Sequence, residues 1–99
     1  MPKFQLINVY DAKQRLAKEK IQIVDIRDPQ SYQSGHIEGA FQLNQSSITR
    51  FTEEAALHTP VFVICYHGNS SKGVAQYLCD LGYLSVYSVE GGMAAWRHV

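Results

Sequence analysis

The sequence predicts an α/β fold, a largely parallel sheet with helices on both faces. Three observations point to it. Short runs rich in Val and Ile alternate with segments of helical periodicity along the whole chain. Cap and turn signals stand at the junctions, among them Asn8, Asp28-Pro29 and Gly82. An apolar, β-branched run, Val61-Phe62-Val63-Ile64, delivers Cys65 into a short polar loop, and a helical pattern begins at once behind it.

The elements follow in order. Residues 4–7 read as a short strand ending at Asn8, a plausible N-cap. Val9, Ala12 and Leu16 recur at helical spacing, with Lys13, Arg15, Lys18 and Glu19 on the other face. Residues 21–26 form an Ile/Val strand interrupted by Gln22. Asp28 caps a short helix with Pro29 at its first position, and the helix stops near Gly35. Residues 40–43 are a third strand. Asn44 to Ser47 offer caps for a helix whose face is marked by Ile48, Phe51 and Ala55, and Thr59-Pro60 ends that segment. The strand at 61–66 leads to a helix over 71–81 that buries Val74, Ala75, Leu78 and Cys79 and closes on Gly82. Residues 85–89 are a fifth strand. Gly91-Gly92 then turns the chain into a last helix over 93–98 that carries Trp96.

Composition narrows the function classes. Ninety-nine residues make one domain, 1–99, with no linker or repeat. Hydrophobic residues at 45% and charged residues at 18% describe an ordinary globular chain. Nine basic and nine acidic residues cancel without any Lys/Arg block, which argues against nucleic acid or a membrane surface as partner. No apolar run approaches the roughly 20 residues that cross a bilayer. Met1-Pro2-Lys3-Phe4-Gln5 begins no signal-peptide core. Cys65 and Cys79 form neither a CxxC pair nor a metal cluster, so no metal is expected. Two cysteines also fit a reducing compartment, and a cytoplasmic location is expected.

The loop Cys65-Tyr66-His67-Gly68-Asn69-Ser70-Ser71 is the candidate site. A thiolate at the end of a strand faces the unsatisfied N–H groups and positive dipole end of the following helix. The dipole contributes about 0.3–1 kcal/mol, which is up to roughly one pKa unit. Backbone N–H groups of Tyr66, His67, Gly68, Asn69, Ser70 and Ser71 can ring the sulfur as an anion nest, and Gly68 supplies the positive φ that turns them inward. The plainer alternative is a buried cysteine that merely ends a core strand.

Two further motifs flank that loop. Asp25-Ile26-Arg27-Asp28-Pro29, with Tyr32 and Gly35-His36-Ile37-Glu38-Gly39-Ala40, resembles the N-terminal signature of rhodanese domains. Val89-Glu90-Gly91-Gly92-Met93-Ala94-Ala95-Trp96 resembles their C-terminal signature. Cys65 stands where that family carries its sulfur-accepting cysteine. The loop, Lys72-Gly73 and Gln76-Tyr77-Leu78 look closer still to the single-domain GlpE-type thiosulfate sulfurtransferases. The resemblance implies a three-layer α/β/α domain whose five-stranded, mostly parallel sheet has the order 1-5-4-2-3. It implies transfer of a sulfane sulfur from thiosulfate to cyanide or a thiol through a Cys65 persulfide, without a cofactor. Thioredoxin or another dithiol is the implied cellular acceptor.

One departure stands out. Many rhodanese loops place Arg or Lys beside the cysteine, whereas here the only ionisable side chain between Cys65 and Ser71 apart from Tyr66 is His67. Lys72 is the first full cation, which predicts weak thiosulfate binding. Related phosphatases use a loop one residue longer that contains an Arg to grip phosphate; this loop has none. A rhodanese domain used only for binding would dispense with the cysteine. Elsewhere Asp25 and Arg27 read as a structural ion pair or backbone contact, His36 as a hydrogen-bonded turn residue, and Cys79 as core.

Overall fold

The computed structural model describes residues 3–99, so Met1 and Pro2, the start of the expected domain, lie outside the described residues. Ten elements alternate along the chain: β1 (Gln5–Ile7), α1 (Val9–Leu16), β2 (Gln22–Asp25), α2 (Pro29–Ser34), β3 (Phe41–Gln42), α3 (Ile48–Glu54), β4 (Val61–Ile64), α4 (Ser70–Asp80), β5 (Val86–Val89) and α5 (Gly92–Trp96). The sheet order is β1-β5-β4-β2-β3, and every pairing is parallel. This is the order that the resemblance implied.

The central strand explains the layers. Val61 to Ile64 are all buried, because β4 lies between β2 and β5 with a helical layer over each face. Val61 and Val63 pack with Val24, Val86, Phe51 of α3, and Ala75, Leu78 and Cys79 of α4. Phe62 and Ile64 point the other way, into Val9 and Ala12 of α1 and Met93 of α5. Two cores thus sandwich one sheet, and period-two alternation along the strand assigns each side chain to its core.

The helix signals act as the sequence suggests at α1, α2 and α4. Asn8 accepts from the Asp11 N–H at 2.7 Å, and Asp28 accepts from the Ser31 N–H at 3.1 Å. Behind α4 the Gly82 N–H donates to the Cys79 carbonyl at 3.0 Å and the Tyr83 N–H to the Leu78 carbonyl at 3.2 Å, a Schellman closure. At α3 the capping differs. Ser47 makes no side-chain capping bond; Asn44 instead accepts from the Ser46 and Ser47 N–H groups at 2.8 and 3.0 Å and shapes the turn before the helix.

Strands are shorter than their apolar runs. The third is two residues long, an edge strand paired only with β2. The fourth ends at Ile64, two residues before the expected 66. Its chain leaves the sheet because the Cys65 and Tyr66 carbonyls accept from the Met93 and Ala94 N–H groups of α5, at 2.8 and 3.0 Å. Helix α4 begins at Ser70 and α5 at Gly92, each one residue earlier than the sequence pattern, and α5 ends at Trp96.

Candidate active site

Cys65 lies just beyond the carboxyl end of β4, where sites of open parallel sheets collect. Its side chain is 5% exposed. The sulfur accepts from the Gly68 N–H at 3.0 Å and the Ser71 N–H at 3.3 Å, and it lies 3.3 Å from the Ser71 hydroxyl. Ser71 is the second residue of α4, so its N–H is one of the donors that a helix leaves unpaired. Asn69, at the N-cap, makes no side-chain capping bond. The cysteine sulfur therefore does for α4 what a capping oxygen does elsewhere.

Burial pushes the Cys65 thiol up, since an anion is costly in an apolar surrounding. The Ser71 hydroxyl and the N–H groups of Ser71, Gly68 and His67 outweigh that effect and hold it below the ordinary thiol value. Cys79 shows the opposite balance. It is buried on the core face of α4 with no such donors among the described residues, and burial followed by the Asp80 charge pushes its thiol up. Both cysteines are free thiols.

Two glycines make the loop possible. Gly68 has φ +95, and a Cβ there would stand 2.7 Å from the Gly91 nitrogen and 3.2 Å from the Val89 carbonyl. Gly92 has φ +58, and its Cβ would stand 2.4 Å from the Cys65 carbonyl oxygen. The first turn of α5 thus presses directly on the loop. A trans peptide sets its N–H opposite its C=O. By holding the Cys65 and Tyr66 carbonyls, α5 turns the Tyr66 and His67 N–H groups away from itself.

The remaining residues divide plainly. Tyr66, His67, Asn69 and Ser70 are exposed at the rim, and among the described residues the N–H groups of Tyr66, Asn69 and Ser70 make no hydrogen bond to the sulfur. The His67 ring packs against that of Tyr66, with centroids 4.6 Å apart. Lys72 is exposed. Asp25 and Arg27 form a buried ion pair at 2.8 Å, and Arg27 also donates to the Gly35 carbonyl at 2.7 Å, tying the end of β2 to the end of α2. His36 stacks on Tyr32 and shares a 2.8 Å hydrogen bond with its carbonyl.

One residue beside the site escaped the sequence reading. Ser88 of β5 is fully buried, and its hydroxyl lies 2.7 Å from that of Ser71. The available signal was a small polar residue inside the Val86–Val89 strand. Nothing local announced that the strand runs beside β4.

A family model for the rhodanese-like domain matches residues 8–98. The chain belongs to the rhodanese family. The rhodanese chain is 46% identical to a thiosulfate sulfurtransferase GlpE from Tolumonas auensis, over all of this chain and 93% of that protein. Among solved structures, a rhodanese-like domain protein from Staphylococcus aureus superposes with a TM-score of 0.81 at 29% identity, covering 94% of this chain and 91% of that one. A Rhodopseudomonas palustris protein of unknown function, named a possible tyrosine phosphatase, gives 0.76 at 25% identity, covering 96% and 80%. Among the described residues of this rhodanese, no helix is long and apolar enough to cross a membrane.

Proposed function

We infer that this chain is a thiosulfate sulfurtransferase that carries the transferred sulfur on Cys65. The observation that carries the inference is the sulfur at the mouth of a backbone nest, bonded by Gly68 and Ser71 of the loop and helix α4. Full-length similarity to the Tolumonas auensis sulfurtransferase supports it.

The chemistry follows from that placement. The Cys65 thiolate attacks the outer sulfur of thiosulfate. A new S–S bond forms as the bond to the sulfonate sulfur breaks, and its electron pair leaves with sulfite. The persulfide that remains is itself an anion, held by the same donors. Cyanide then attacks the terminal sulfur, forms thiocyanate and returns the thiolate. A dithiol such as thioredoxin is the proposed acceptor in a cell, and the cytoplasm is the proposed location. Two half-reactions through one covalent carrier give ping-pong kinetics. The loop of Tyr66, His67, Gly68, Asn69, Ser70 and Ser71, with Gly68 and Ser71 buried beneath the exposed rim, is the proposed binding site for the thiosulfate anion.

The name of the Rhodopseudomonas palustris relative raises phosphatase chemistry as a second reading. Phosphoryl transfer depends on a cationic clamp over the equatorial oxygens. The loop from Cys65 to Ser71 contains no Arg or Lys, and Lys72 is exposed. Sulfur transfer asks less of the loop, because the charge stays on the Cys65 sulfur, which the Gly68 and Ser71 N–H groups already bond. The test supplies purified protein with thiosulfate and cyanide, and in parallel with an aryl phosphate. Sulfite and thiocyanate should appear, and both should vanish in Cys65→Ser. Phosphate release that depends on Cys65, without thiocyanate, would overturn the assignment.

A further inference from the structure

The hydrogen bonds at Cys65 continue one residue deeper into the protein. Ser71 and Ser88 are both 0% exposed, and their hydroxyl oxygens are 2.7 Å apart. Ser71 Oγ is also 3.3 Å from the Cys65 sulfur. Ser88 pairs in register with Val63 of β4 and sits between Tyr87 and Val89, so an apolar residue would satisfy a core strand there. A buried hydroxyl is costly unless it is bonded, and the bond here leads straight to the site.

A serine hydroxyl has one proton to give. When Cys65 is a neutral thiol, its S–H donates to Ser71, and the Ser71 proton is free to point at Ser88. When Cys65 is a thiolate, Ser71 must donate to the sulfur, and its oxygen can then take the proton of Ser88. The two hydroxyls reverse direction together, and no proton leaves either oxygen.

We propose that Ser88 is a positioning residue for sulfur transfer, turning the Ser71 proton onto the Cys65 sulfur whenever that sulfur is anionic. The proposal rests on Cys65 as the sulfur carrier. The surrounding elements carry Tyr66 and His67 in the loop, Lys72, Tyr77, Cys79 and Asp80 on α4, Tyr87 on β5, the Asp25–Arg27 pair at the end of β2 and Glu90 ahead of α5. Among the described residues the hydrogen bonds of the sulfur run to loop N–H groups and the Ser71 hydroxyl, not to any of those side chains.

The experiment measures the alkylation rate of Cys65 with iodoacetamide against pH, read by peptide mass, in wild type, Ser88→Ala, Ser71→Ala and the double variant. Thermal melting confirms that each is folded. The Ser71–Ser88 bond exists in both protonation states, but Ser71 is the stronger acceptor when it donates to an anion. Losing Ser88 therefore costs the ionised state more and should move the Cys65 profile of Ser88→Ala up by about 0.2 to 0.5 pH unit. The high-pH plateau should stay unchanged, and below the Cys65 midpoint kcat/KM for thiosulfate should fall by up to about threefold, the same shift expressed as a thiolate fraction. In the Ser71→Ala background, removing Ser88 should add no further shift. An unmoved profile in folded Ser88→Ala, or equal shifts in both backgrounds, would overturn the proposal. Alkylation needs no turnover, so failure of the sulfurtransferase reading would show separately, as absent thiocyanate beside a normal profile.

Discussion

At the residue scale, Cys65 and Cys79 hold the same thiol in opposite surroundings. Cys65 is held below the ordinary value against the cost of its burial, by the Ser71 hydroxyl and three N–H groups; Cys79 is pushed above it by burial and Asp80. In native protein, iodoacetamide should modify Cys65 with a midpoint below the roughly 8.5 of a free cysteine, while Cys79 stays unmodified. The sign for stability follows from the same shift. Because folding lowers the Cys65 pKa, its thiolate stabilises the fold above the unfolded value and that contribution is lost as pH falls through the folded value. The stability of wild type relative to Cys65→Ser should therefore rise with pH up to about 8.5. Cys79→Ala should keep full activity and cost about 1 kcal/mol, the central value for point mutations. Denaturant melts across pH check both statements. A Cys79 that alkylates as fast as Cys65 would contradict them.

At the element scale, the site is a meeting of β4, α4 and α5, and these were unequally legible. Strand, loop and helix N-terminus are contiguous from Val61 to Asp80, so the sequence displays that part of the site in reading order. Helix α5 and Ser88 arrive from the far side of a parallel crossover. In the sequence, Gly91-Gly92 looked like an ordinary turn, yet Gly92 lets α5 approach closely enough to hold the Cys65 and Tyr66 carbonyls. The expected strand overshot for the same reason: Cys65 and Tyr66 have strand-like neighbours, but their carbonyls belong to α5. Gly92→Ala places a Cβ against backbone atoms at 2.4 to 2.6 Å, at a φ that alanine disfavours. It should destabilise by about 1–3 kcal/mol, as overpacking does. It should also move the Cys65 alkylation profile to higher pH as the loop loosens. A destabilised variant with an unmoved profile would show that α5 supports the fold but does not orient the loop.

At the scale of the whole molecule, the alternation of elements was enough to give a parallel sheet with two helical layers, because short β-branched runs bounded by cap and turn residues alternate with segments of helical period. The order β1-β5-β4-β2-β3 was not readable from periodicity and came from the family resemblance. That order sets the central strand β4 between two neighbours, fixes it on both faces, and so holds the Cys65 loop on a rigid base. The architecture thus converges on one atom, the Cys65 sulfur, whose thiol it holds below the ordinary value and which is the proposed acceptor of a second sulfur. The intact mass of the protein before and after thiosulfate tests this most directly. The account predicts a gain of one sulfur atom, located on Cys65, lost again on adding cyanide and absent from Cys65→Ser. An unchanged mass in active, folded protein, or a gain that survives in Cys65→Ser, would contradict it.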